Sequence, residues 1–184
     1  MNRKDLANKI WNACDIMRRD DGTTGILEYA EQLSWMIFLK VFEDVEKRFE
    51  DEAKFAGKPY HPIIEPQYRW SAWAGKDDKE IEKYFTKDEL KSIIARGEHI
   101  LIAFIDNKLF PYLKSLKGSP RKEKIALIFQ EIRGNRMKSP FNLKDVISLL
   151  GEINFNNVED SHILSQVYEE LLLKLGREGG IAGE

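Results

Sequence analysis

With 184 residues, 42% of them hydrophobic and 33% charged, the chain can bury a core, and its charges nearly cancel to a net of −2, so bulk charge does not mark a nucleic-acid binder. One cysteine, Cys14, excludes a disulfide framework and suits a reducing compartment. The longest apolar run, Ile100 to Ile105, is six residues, and that from Trp35 to Leu39 is five; both are too short to span a bilayer, and the N-terminus lacks a signal-peptide apolar region. The expectation is a soluble, cytoplasmic protein.

Taken in chain order, the apolar period predicts helices and almost no strands. The first helix runs from about Arg3 to Arg18, with Leu6, Ile10, Trp11, Cys14 and Met17 on one side and Asn2 as cap. Cys14 on that face reads as a buried, inert thiol. Gly22 ends this helix, and Thr23 or Thr24 is placed to cap the next. The acidic pair Asp20-Asp21 beside Gly22 reads as turn chemistry rather than a magnesium site.

The second helix is expected from about Ile26 to Phe55, roughly 45 Å at about 1.5 Å per residue. Its middle, Trp35 to Leu39 followed by Val41 and Phe42, is apolar nearly all round, so it should be enclosed by several neighbours. Glu50 falls on its exposed side. Between Gly57 and Gly75, Pro59, Pro62 and Pro66 oppose a helix. The aromatics of YRWSAWA could stack on nucleobases beside Arg69. A loop pinned to the core by its own rings is the stronger reading.

Short helices follow near Asp77–Phe85 and Thr86–Arg96, the second opening with a capping box, Thr86 and Glu89. A helix from about Gly97 to Asn107 buries Ile100, Leu101, Phe104 and Ile105, and Pro111 bends or restarts it. Ser119-Pro120 starts a helix through Ile125, Ile128, Phe129 and Ile132. Asn142 is expected to cap another, with Val146, Ile147, Leu150 and Ile153 inside. A last amphipathic helix begins at Asp160 or Ser161 and ends at Leu175, before the glycine-rich GREGGIAGE. The fold class is all-α, a bundle-like domain of about seven to eight helices with one proline-rich aromatic loop. Residues 1–175 form the domain and 176–184 a linker.

No catalytic constellation is evident. His61, His99 and His162 stand far apart without metal-ligand spacing, and neither a phosphate-binding loop nor a nucleophile elbow occurs. One charge asymmetry remains. From Lys114 to Lys144 nine basic residues are interrupted only by Glu123 and Glu131, a net of +7 in 31 residues, leaving −9 on the remainder. Clustered bases gain from counterion release at a phosphate backbone. Arg121, Lys122, Arg133, Arg136 and Lys138, with Arg69, are the candidate DNA contacts, against the alternative of a merely solvated basic face.

Several stretches together resemble a known family. They are LANKIWNACDIMRRDDGTTGILEYAEQLSWMIFLKVFED, the loop closing in YRWSAWA, NKLFPYLKSL, NRMKSPFNLKDVI, and the ending HILSQVYEELLLKLGREGGIAGE. The chain is similar to the N-terminal helical domain of the modification subunit of type I restriction–modification systems, which are adenine-specific DNA methyltransferases. The resemblance implies a following Rossmann-like domain that uses S-adenosylmethionine, joined through Gly-Glu-Phe-Tyr-Thr-Pro; this sequence ends at Gly183-Glu184. The family's Asn-Pro-Pro-aromatic tetrapeptide and glycine-rich cofactor loop are absent here. The resemblance therefore implies no catalytic, cofactor-binding or metal residue in these 184 residues, which should be inactive alone.

It does imply contact with duplex DNA, and assembly with the specificity subunit, a second modification subunit and the restriction subunit. Two alternatives stay open at this point. One is a freestanding helical module that docks on a protein without touching DNA. The other is a helix-turn-helix reader built on the basic segment.

Overall fold

In the computed structural model, which describes residues 2–23 and 25–155, the apolar period of the first stretch closes into α1 (Arg3–Arg18). Asn2 caps it, its side chain accepting the Asp5 N–H at 2.9 Å. The long α2 (Ile26–Phe55) follows, with the bounds its periodicity predicts. A 3-10 turn (Pro66–Tyr68) leads to α3 (Trp70–Trp73), then α4 (Asp78–Glu82) and α5 (Lys87–Ala95). Next come α6 (Ile100–Phe104), a π segment (Ile105–Leu109) and α7 (Phe110–Lys114), and then α8 (Pro120–Glu131) and α9 (Pro140–Gly151). Among the described residues there is no strand. The amphipathic run to Leu175 and the glycine-rich tail lie outside them, as do Thr24 and His162.

These elements form two compact units, residues 2–37 with 136–155, and residues 38–135. In the first unit α1 packs on α9. Leu6, Ile10, Ala13, Cys14 and Met17 are buried on α1, and Leu143, Val146, Ile147 and Leu150 on α9. Tyr29, Leu33, Trp35 and Met36 from the start of α2 complete this core, and Lys9 pairs with Glu152 at its surface. Cys14 is fully buried; desolvation and the neighbouring Asp15 push its thiol up to about 11, as an inert core cysteine should behave.

The second unit is organised around aromatic rings. Phe104 lies within 5.3–6.4 Å of Tyr68, Trp73, Tyr84 and Phe85, and Tyr68 stacks on Tyr112 at 3.8 Å. Phe38 stacks with Phe42 at 5.6 Å and meets Phe129 edge-on at 5.7 Å, and Phe110 meets Phe129 at 5.5 Å. Trp70 and Trp73 are buried, which supports the pinned-loop reading of YRWSAWA, although its Trp70–Trp73 stretch winds into the short α3 after the 3-10 turn that ends at Tyr68.

Local chemistry sets most boundaries. The Thr86 box forms, Thr86 Oγ1 accepting the Glu89 N–H at 3.2 Å, and Asp77 with Glu80 makes a second box that starts α4. Ser119 caps α8 by accepting the Lys122 N–H, with Pro120 at the first position. Three expectations need correction. Ser139, not Asn142, caps α9: its hydroxyl accepts the Asn142 N–H at 3.2 Å, and Pro140 repeats the Ser-Pro start of α8. Pro111 falls at the second position of α7, which resumes the α-helix after the π segment Ile105–Leu109, so the restart expected at this proline is met. The middle of α2 is not enclosed all round: Trp35, Met36 and Leu39 are buried, while Ile37, Phe38, Val41 and Phe42 are half-buried. Ile128, placed inside by its period, is 44% exposed.

Candidate nucleic-acid interface

The turn after α1 builds the first part of the site. Arg19 closes the helix, and the chain then folds Asp20 inward, leaving it 4% exposed. Its carboxylate accepts the Gly22 N–H at 2.9 Å, the Lys138 N–H at 2.9 Å, the Ser139 N–H at 3.0 Å and the Asn142 side-chain amide at 3.3 Å. Burial alone would raise this carboxyl, but the donors from Lys138, Ser139, Gly22 and Asn142 outweigh it and hold it below the ordinary aspartate value. Asp20 is thus more than turn chemistry: it ties the end of α1 to the segment that opens α9.

Two neighbours shape the same segment. The Arg136 N–H donates to Gln32 Oε1 at 3.2 Å, and that oxygen also accepts Trp35 Nε1–H at 3.0 Å. Gly22 passes so close that a Cβ on it would lie 1.8 Å from the Arg136 carbonyl oxygen, so any side chain forces the backbones apart. Thr23 does not cap α2; its hydroxyl donates to the Met17 carbonyl. The backbone of residues 136–139 is therefore held from both sides, and it carries Arg136, half-buried, and Lys138, exposed.

The other predicted bases lie in the second unit. Arg121 and Lys122 occupy the first turn of α8, Arg121 exposed and Lys122 half-buried. The Arg121 guanidinium sits 4.1 Å over the Phe49 ring, a stacking that orients it while leaving donors toward solvent. Two cations beside the positive end of a helix dipole oppose helix formation locally and raise the potential offered to an anion. Arg133 is exposed in the connection after α8. The structure thus pairs Arg121 with Lys122 on one turn, and Arg136 with Lys138 on one short loop.

Arg69 is placed differently. Its side chain is 14% exposed and lies 2.7 Å from Glu50 and 3.5 Å from Glu46, and its Nε donates to the Ile64 carbonyl at 3.0 Å. Glu46 is fully buried; besides Arg69 it accepts the Tyr60 hydroxyl at 2.7 Å, the Ile63 N–H at 2.5 Å and the Ile64 N–H at 3.0 Å. Burial and the bond to Glu46 push the Tyr60 hydroxyl well above the usual tyrosine value. Glu50 is half-buried and paired, not the solvent-facing acid its position suggests. Sequence reasoning missed both Asp20 and Glu46 as organisers; the one local signal was a proline flanking each segment they hold, Pro62 and Pro140.

The described residues are helical throughout their regular elements, present two basic pairs, and hold no group of three metal-ligating residues. Residues 6–150 match the family described as HsdM N-terminal domain, and the chain belongs to that family, the N-terminal domain of type I restriction–modification methylase subunits. It is 32% identical over 183 residues to the type I restriction enzyme EcoEI methylase subunit of Escherichia coli, covering 97% of this chain and 33% of that protein. It is 24% identical to the StySJI methylase subunit of Salmonella typhimurium, again over 97% of this chain and 27% of the relative. The chain therefore spans about a third or less of these curated relatives.

Solved structures agree. A chain of a type I R-M system, determined to explain complex assembly and conformational transition, superposes with a TM-score of 0.75 at 43% identity, over 97% of this chain and 32% of that one. A modification subunit assigned to a type I restriction enzyme of Vibrio vulnificus YJ016 superposes with a TM-score of 0.74 at 34% identity, over all of this chain and 37% of that one. Membership of this family does not favour the freestanding module. No helix among the described residues is long and apolar enough to cross a membrane.

Proposed function

We propose that this domain contributes phosphate contacts to duplex DNA, and a docking face to the other subunits, for an adenine-specific methyltransferase that uses S-adenosylmethionine. The observation that carries the DNA reading is the presentation of two basic pairs, Arg121 with Lys122 on the first turn of α8 and Arg136 with Lys138 on a braced loop, within a segment of net +7. Phosphate contacts of this kind fix position without reading sequence. They suit a reaction that must hold a duplex firmly while one adenine is turned out of the stack. Arg133, exposed after α8, is proposed as a further contact. Arg69 is withdrawn from the set, since its guanidinium is committed to Glu46 and Glu50.

The assembly partners we propose are the specificity subunit, a second modification subunit and the restriction subunit; support comes from the similarity to a chain of an assembled type I system. Residues 176–184 we read as the linker toward the methyltransferase domain. We assign no catalytic, cofactor-binding or metal role to any residue of this chain, so calorimetry with S-adenosylmethionine should register no micromolar binding.

Duplex affinity measured at several salt concentrations tests the DNA reading. The parent chain should bind weakly and without sequence preference, with dissociation constants of about 10⁻⁴–10⁻⁶ M. Arg121→Ala with Lys122→Ala, and separately Arg136→Ala with Lys138→Ala, should each reduce the log–log slope by roughly 0.9 for every phosphate left without its cation. Parent-like affinity and slope in both double variants would overturn it.

A further inference from the structure

We infer that Asp20, with Gly22 and Asn142 beside it, is the positioning device of a DNA-contact loop: an acidic residue that strengthens phosphate binding by shaping the backbone under Arg136 and Lys138. The inference rests on the DNA reading above and assigns residues that reading does not contain. Three observations in the first unit carry it. The Asp20 carboxylate receives the N–H groups of both Lys138 and Ser139, so the two peptide units that flank Lys138, Met137–Lys138 and Lys138–Ser139, are oriented by one buried charge. The Asn142 amide, one turn into α9, donates to the same carboxylate, so the loop and the helix it opens are fixed together. Gly22 leaves no room for a Cβ against the Arg136 carbonyl, so the loop backbone rests directly on the turn that supplies Asp20.

A buried carboxylate with no arginine or lysine side chain among its donors is costly unless its N–H donors are well aligned. Here the donors are the backbone of the basic loop itself. The loop is ordered before any ligand arrives, so little further ordering of its backbone opposes binding. Lys138 is exposed on this braced backbone, and Arg136 is half-buried beside Gln32. Simple electrostatics gives the opposite expectation. An acid beside a phosphate-binding loop repels phosphate, and removing it should tighten binding. The sign of the effect therefore separates positioning from charge.

The experiment is a cycle in the 184-residue chain: Asp20→Asn, Arg136→Ala with Lys138→Ala, and all three together, each titrated with a duplex at several salt concentrations well below its melting temperature. The Lys138 and Ser139 amide resonances are followed by NMR alongside. From the slope of about 0.9 per neutralised phosphate, the arginine–lysine double variant should bind roughly eightfold more weakly for each such phosphate at 0.1 M salt. Asp20→Asn should weaken binding and lower the slope, and should add nothing on top of the double variant, while both amide resonances move. Asn142→Ala, which removes a single donor and serves if Asp20→Asn does not fold, should show a smaller loss with the same non-additivity. Unchanged or tighter binding by Asp20→Asn and Asn142→Ala, with the double variant weakened, overturns the positioning role and leaves the DNA reading standing. Parent-like binding by the double variant overturns both.

Discussion

Asp20 in the first unit and Glu46 in the second are both buried carboxylates that gather backbone N–H groups from a proline-flanked segment far along the chain. Asp20 takes those of Lys138 and Ser139, just before Pro140; Glu46 takes those of Ile63 and Ile64, just after Pro62. They differ in what balances the charge. Glu46 has a guanidinium, Arg69, and a tyrosine hydroxyl beside it. Among the described residues, the Asp20 carboxylate accepts N–H dipoles alone, from Gly22, Lys138, Ser139 and Asn142. The segment held by Glu46 consumes its arginine internally, whereas the segment held by Asp20 leaves Lys138 facing solvent. The counter-charge is thus spent inside the fold in one segment and left at the surface in the other.

The largest expected effect falls at Glu46. Glu46→Ala leaves the Ile63 and Ile64 N–H groups and the Tyr60 hydroxyl without their acceptor and Arg69 with Glu50 alone, and should cost about 3–5 kcal/mol in urea unfolding. An equal or smaller loss than for Asp20→Ala would break the contrast. Asp20→Ala leaves donors that can partly reach water, so its cost should be about 2–3 kcal/mol. It also has a pH signature. Because the folded carboxyl is held below its ordinary value, its stabilisation is fully present above about pH 4 and is lost as pH falls through the folded pKa. The parent should therefore lose stability more steeply than Asp20→Asn below about pH 4, and parallel acid limbs would contradict the assignment.

Smaller effects sharpen the comparison. Gly22→Ala must push the turn away from the Arg136 carbonyl and should cost about 1–3 kcal/mol in thermal melts. A neutral result would show that the turn yields freely. Glu50→Ala removes only a half-exposed partner of Arg69, which keeps Glu46, and should cost about 0.2–1 kcal/mol.

Much of the fold was legible in the sequence, and the reasons are local. The bounds of α1 and α2 follow from apolar spacing, and the Asn2, Thr86 and Ser119 caps from short-range chemistry. The cap of α9 is equally legible, at Ser139 rather than Asn142, because Ser139-Pro140 carries the same Ser-Pro start as Ser119-Pro120. The two carboxylate organisers were not legible, because their partners lie elsewhere in the chain. Asp20 looks like a turn acid, and Glu46 sits in an acidic stretch of α2 that reads as a solvent face. Nor does a run of bases reveal that Arg136 and Lys138 stand on a braced loop while Arg69 is internally paired.

Hydrogen exchange at four amides tests the account most directly. In the parent chain, Lys138, Ser139, Ile63 and Ile64 should all be protected. Asp20→Asn should speed exchange at Lys138 and Ser139 and leave Ile63 and Ile64 unchanged, and Glu46→Gln should do the reverse. If either variant speeds all four equally, or neither changes its own pair, the two carboxylates do not hold these segments as described.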